Sequence, residues 1–159
     1  MLERVRQIPL LHDLSNEQLM QLAPLLEVFT CPADQAIFDQ GEPAEYLYFL
    51  ISGIIVLHYK PYDGTRMVLT RLHAGDVFGW SSVVGGSVYA SGICSETKIE
   101  AVRIRGKDLQ KLCRDHHDLG TVILDRLADA VSGRWQNSRK QVQTILNRNL
   151  GENCDSKSK

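Results

Sequence analysis

Apolar positions change their spacing twice along this chain, and the changes divide it into three parts. In the first part Leu19, Leu22, Ala23 and Leu26 recur at intervals of three and four, the period of one helix face. Ser15 stands before that face and Gln18 follows three residues later, which predicts a capping box. The Ser15 hydroxyl accepts from the Gln18 amide, and the Gln18 side chain reaches back. Leu14 and Leu19 flank the cap as a hydrophobic staple. Pro24 predicts that the helix ends or kinks early, because proline has no amide hydrogen for the ladder.

From Val28 to Ile104 the apolar residues come in short dense runs, rich in β-branched and aromatic side chains. Strands are expected at Val28–Thr30, Ala36–Phe38, Tyr46–Ile51, Ile54–Tyr59, Met67–Leu72, Val88–Cys94 and Ile99–Ile104. Turn residues separate them: Gln40-Gly41-Glu42-Pro43, Ser52-Gly53, Pro61-Tyr62-Asp63-Gly64 and His73-Ala74-Gly75-Asp76. The Asp63-Gly64 pair between two apolar runs is the clearest hairpin. Gly41, Gly53, Gly64, Gly75 and Gly79 stand at the ends of runs, where positive φ or close backbone approach is needed. Seven or eight strands at this spacing imply a sandwich, a jelly roll or a small barrel.

Beyond Arg105 the helical period returns. Leu109, Leu112 and Cys113 share one face, and Leu119 opens a longer run. That run continues through Leu124, Leu127, Val131, Trp135, Ser138, Val142 and Ile145, an apolar seam wider than a solitary surface helix needs. We expect it to be the interface of a homodimer. Residues 1–146 are expected to form one domain, with strands over about 27–105 and helices over about 106–146. Residues 147–159 read as a polar, disordered tail.

Composition narrows the function classes. A net charge of −1 on 159 residues gives no global field for nucleic acid or an anionic membrane. The longest apolar stretch, Tyr46 to Leu57, is broken by Ser52-Gly53 and too short to cross a bilayer, and no secretory signal opens the chain. A cytoplasmic protein without membrane partners is expected. Cys31, Cys94, Cys113 and Cys154 are scattered without a C-x-x-C pair, so reduced thiols are expected. His58 and His73 stand alone, and the adjacent His116-His117 cannot converge on one ion from a helix. No metal site follows. Asp13 and Glu17 read as solvated carboxylates, and no nucleophile elbow or phosphate-binding loop with lysine is present. The chain reads as a non-enzyme.

Three motifs then occur in order: Ile37-Phe38-Asp39-Gln40-Gly41-Glu42-Pro43-Ala44, Tyr48-Phe49-Leu50-Ile51-Ser52-Gly53 and Gly75-Asp76-Val77-Phe78-Gly79. With their spacing, the span from Leu14 to Ile145 resembles the cyclic-nucleotide-binding domain family, the jelly roll of catabolite activator proteins, kinase regulatory subunits and gated channels. The resemblance implies a mainly β fold, a double-stranded β-helix with short N-terminal helices and a long C-terminal helix. It also implies a ligand cassette in which Phe-Gly-Glu cradles the cyclic phosphate and ribose, while an Arg nine residues after the Glu pairs with the phosphate.

Here the cassette departs from the pattern. The first motif reads Phe78-Gly79-Trp80, and the Arg position falls on Tyr89. A charge-assisted bond contributes about 1.5–3 kcal/mol, so losing the Arg alone costs about ten- to hundredfold in affinity. What remains for a ligand is Phe78, Gly79, Trp80, Ser81, Ser82, Val83, Tyr89, Ala90 and Ser91. Backbone amides and neutral hydroxyls could meet an anion there, and Trp80 with Tyr89 could wall an aromatic one.

The expected function is a small-molecule-sensing regulatory module with a non-standard ligand, small and anionic or aromatic. Two rivals are a structural or partner-binding domain whose pocket Trp80 fills, and a weak binder of cyclic nucleotides. Many bacterial relatives carry a DNA-binding module after the long helix; only a short tail follows Ile145, so no DNA binding by this chain alone is expected.

Overall fold

The helix expected after Ser15 forms where its cap places it. In the computed structural model, which describes residues 2–61, 64–83 and 88–130, helix α1 spans Leu2–Arg6 and α2 spans Asn16–Leu22. The Gln18 amide donates to Ser15 Oγ at 3.2 Å, and Gln18 Oε1 accepts from the Ser15 amide at 3.0 Å. Pro24 sits in the 3-10 turn Ala23–Leu25 that ends the helix. Leu14 and Leu19 are both buried in one cluster, as a staple requires.

Eight strands follow: β1 Leu26–Cys31, β2 Ala36–Phe38, β3 Tyr46–Ser52, β4 Ile55–Tyr59, β5 Met67–Leu72, β6 Val77–Phe78, β7 Gly92–Ser95 and β8 Ile99–Arg105. They form two four-stranded antiparallel sheets in the orders β1-β8-β3-β6 and β2-β7-β4-β5, the jelly-roll arrangement. Strands β4 and β5 pair antiparallel, as the expected hairpin requires, while Tyr62 and Asp63 of its turn lie outside the described residues. Helix α3 (Gly106–Asp115) comes next, and the backbone is helical again over 117–130.

Strand β3 explains why its run is apolar without alternation. Tyr48 and Leu50 point between the sheets, whereas Leu47 and Phe49 point to the helices, so both faces are buried. Two cores result. Between the sheets lie Cys31, Phe38, Tyr48, Leu50, Ile55, Leu72, Phe78, Tyr89, Ile93, Ile99 and Ala101. On the other side of the first sheet, Leu47, Phe49, Val102 and Ile104 meet the helical residues Leu19, Leu22, Leu109, Leu112, Leu119, Ile123 and Leu127.

Some expectations change. The strand expected at Val88–Cys94 shortens to β7, with only an isolated bridge between Val88 and Pro43 before it. The backbone of Tyr89 leaves the ladder because the Gln40–Glu42 turn takes both its polar groups. Its amide donates to Glu42 O at 2.9 Å, and its carbonyl accepts from the Gly41 amide at 2.9 Å. Asp13 is not merely solvated. Arg126 reaches it with both terminal nitrogens, one at 2.8 Å from Oδ2, and also donates to Leu10 O at 2.8 Å. The Arg126 guanidinium holds the Asp13 carboxyl below its ordinary pKa.

Along the C-terminal seam, Leu127 is fully buried and Leu124 half-buried, both against this chain's own helical core. Leu127 therefore belongs to the domain interior, not to the dimer interface expected for it. Its neighbours Leu119 and Ile123 turn the same way, because the helix must cover the outer face of the first sheet. Val131, Trp135, Ser138, Val142, Ile145 and the expected tail lie outside the described residues. Among the described residues, no helix is long and apolar enough to cross a membrane.

Candidate functional site

The cassette begins where β6 ends. Gly79 follows Phe78 with φ 85° and ψ 27°, left-handed backbone that disfavours any other residue. A β-carbon there would also lie 2.5 Å from the Tyr46 carbonyl oxygen. The chain then makes a single 3-10 turn, Trp80–Ser82. Its internal bonds use the Ser82 amide, to Gly79 O at 3.1 Å, and the Val83 amide, to Trp80 O at 2.9 Å. The Ser82 hydroxyl donates to Gly79 O at 2.8 Å and is turned inward. The Val83 carbonyl accepts from Gln110 Nε2 at 2.9 Å. The turn rests on the start of α3: a β-carbon on Gly106 would lie 1.9 Å from Ser82 O.

Trp80 and Tyr89 do not share a wall. Trp80 packs, partly buried, against the helical core, while Tyr89 is in the core between the sheets. Trp80 therefore lies on the helical side of the first sheet and not in the space between the sheets. The residue there is Tyr89, 5% exposed, with its ring stacked on Phe38 at 3.6 Å and 14°. The Tyr89 hydroxyl donates to Tyr46 O at 2.8 Å and accepts from the Tyr46 amide at 3.0 Å. Burial pushes its pKa up to about 12, against the lowering effect of the bond to Tyr46, so the ring is neutral near pH 7.

Phe78, only 1% exposed, belongs to the same aromatic core and stacks on Tyr48 at 4.7 Å and 2°. Phe29 meets Tyr48 edge-on at 5.3 Å. Each such pair contributes about 0.5–1.5 kcal/mol beyond its burial. Ser82 and Val83 are buried. Ser81 and Ser91 are half-exposed and Ala90 exposed, so of the nine expected residues these three, with Gly79 and Trp80, border solvent most. Phe38, Tyr46 and Tyr48 were not singled out from the sequence as site residues. Their signal lay in the unbroken apolar run of β3 and in the aromatic residue before Asp39-Gln40-Gly41. Arg103 was missed too; its guanidinium lies 4.0 Å from the Tyr46 ring centroid and pairs with Glu27 at 3.1 Å.

Comparison with known proteins agrees with this geometry. The family model of the cyclic nucleotide-binding domain matches residues 28–116. A cAMP-activated global transcriptional regulator of Pasteurella multocida is 31% identical over 115 residues, covering 72% of this chain and 53% of that protein. The chain thus spans about half the length of that regulator. A cyclic nucleotide-binding domain from Methylobacillus flagellatus superposes with a TM-score of 0.75 at 23% identity, over 91% of this chain and 81% of that one. The regulatory subunit of a cAMP-independent protein kinase A from Trypanosoma brucei gives 0.71 at 17% identity, over 91% and 50%. These last two likenesses show the fold.

Proposed function

Since this chain belongs to the cyclic nucleotide-binding domain family, we propose that it is a non-catalytic regulatory module that does not read cyclic AMP or cyclic GMP through the usual ion pair. The observation that carries this reading is Tyr89. At the position where the family places its phosphate-reading arginine stands a neutral ring, stacked on Phe38 and bonded through its hydroxyl to the Tyr46 backbone. Such a side chain offers a phosphate no charge and has no free polar atom to turn outward. The Phe-Gly-Glu position is likewise uncharged, as Trp80. The same roll occurs in a kinase regulatory subunit described as cAMP-independent, so the fold alone does not dictate the ligand.

In this reading the ligand is a small anionic or aromatic molecule held at the rim by Ser81, Ser91 and backbone groups. A second reading, favoured by the Tyr89–Phe38 stack, is that the roll acts through protein contacts alone. A thermal-shift panel separates them. A ligand at a hundredfold its Kd stabilises by about 2.7 kcal/mol, or about 5–10 °C for a chain of this size. Cyclic AMP and cyclic GMP at millimolar concentration are expected to leave Tm unchanged. A saturable shift with phosphate, citrate or benzoate supports the first reading, and silence across the panel supports the second. A shift of several degrees with either cyclic nucleotide would overturn both.

The partner in this account is a second copy, joined along the part of the seam beyond Leu127. Sedimentation at micromolar concentration is expected to show a dimer that Trp135→Asp converts to a folded monomer. A monomeric unsubstituted protein would contradict it.

A further inference from the structure

A second cluster of reactive side chains lies away from the cassette, on the outer face of the second sheet. Along β7, Ile93 and Ser95 are buried while Cys94, between them, is half-buried and faces the other way. His58 of β4 pairs with Gly92 in register and lies on that same outer face. A β-carbon on Gly92 would lie 2.0 Å from His58 Cε1, so the missing side chain is what lets the imidazole lie flat over the strand. From there His58 Nε2 reaches Cys94 Sγ at 3.3 Å. Arg66, just before β5, donates from Nη2 to the same sulfur at 2.7 Å.

His58 is the unusual member. It is only 5% exposed, and among the described residues its one hydrogen-bond partner is the Cys94 sulfur. Burial first, then the Arg66 charge, keeps it below its ordinary pKa, with Asp39 opposing. The ring is therefore neutral near pH 7 and has a nitrogen open to a proton. A thiol that faces a neutral imidazole and receives a guanidinium N–H has both a base and a fixed positive charge for the sulfur anion. Neither Cys31 nor Cys113 has this: Cys31 is buried beside Ser95, and Cys113 packs against the helical core.

The geometry points to Cys94 as a redox modification site, a thiol oxidised by hydroperoxides to sulfenic acid with His58 and Arg66 as its activating pair. In the step, Cys94 gives its proton to His58 Nε2 and the sulfur attacks one oxygen of hydrogen peroxide. The O–O bond breaks, the attacked oxygen stays on sulfur as S–OH, and the other leaves as hydroxide. Hydroxide takes the proton back from His58 and departs as water. The sulfur loses two electrons and the peroxide gains them. The oxidised group has no cysteine beside it among the described residues, and its added oxygen lies next to the ring that rests on Gly92. Tyr89 stands three residues before Gly92, so the modification would press on the last segment of the cassette.

The test uses the full chain, dilute hydrogen peroxide and dimedone, with peptide mass mapping to follow each cysteine. A free thiol is only a few per cent ionised at pH 7, so activation is worth about tenfold. Cys94 is expected to be labelled about tenfold faster than Cys113. Arg66→Gln, at an exposed position, should cut Cys94 labelling about fivefold or more while Cys113 labelling and the circular dichroism stay unchanged. His58→Gln should do the same, and Arg66→Gln keeps the test decisive if the buried substitution fails to fold. Equal labelling of Cys94 and Cys113, or an Arg66→Gln protein with an undiminished rate, would overturn the proposal.

Discussion

Tyr89→Arg is expected to lower the stability of this domain by about 3–5 kcal/mol, even though arginine is what the family places there. The guanidinium would enter a space 5% exposed, between Phe38 and the Tyr46 backbone, with no carboxylate bonded at that point. Three costs add: a buried unpaired charge, the lost ring stack, and the Tyr46 amide and carbonyl left without the hydroxyl. Tyr89→Phe separates these contributions. It keeps the stack and removes only the hydroxyl, so about 1–3 kcal/mol is expected. Urea unfolding followed by tryptophan fluorescence measures both. A Tyr89→Arg protein as stable as the parent would mean that this side chain is not part of the inter-sheet core.

Much of this arrangement was legible in the sequence, because local chemistry decides it. The Ser15–Gln18 cap, the stop at Pro24 and the hairpin before Met67 each depend on residues close together in the chain. Strand β3 was legible for the opposite reason, being apolar from Tyr46 to Ile51 because both faces are covered. The direction of Trp80 was not. A single 3-10 turn after a left-handed glycine sends successive side chains to different sides, and no period survives over three residues to show which. The placement of Tyr89 depended on the Gly41–Glu42 turn, over forty residues earlier. The tie from Arg126 to Asp13 spans 113 residues and left no local mark. The burial of Val5, Ile8 and Leu11 in the helical core was equally silent.

Gly106→Ala is expected to destabilise the domain by about 1–3 kcal/mol, and Gly106→Val by more. The reason is contact, not conformation, since the position has no positive φ. The new β-carbon would lie 1.9 Å from Ser82 O and 2.6 Å from its carbonyl carbon, and backbone cannot swing aside as a side chain can. Either the cassette turn or the start of α3 must move. The first movement would loosen the Gln110–Val83 bond and change the fluorescence of Trp80, so emission and stability should shift together. An alanine variant with unchanged stability and emission would show that the turn does not rest on the helix.

In the proposed reading, a stacked, internally bonded tyrosine stands where a charge would read the cyclic phosphate. Isothermal titration of the unsubstituted chain with cyclic AMP and cyclic GMP tests it most directly. No saturable heat is expected up to about 1 mM, which corresponds to binding weaker than about −4 kcal/mol. A low-micromolar or tighter dissociation constant for either nucleotide would contradict it.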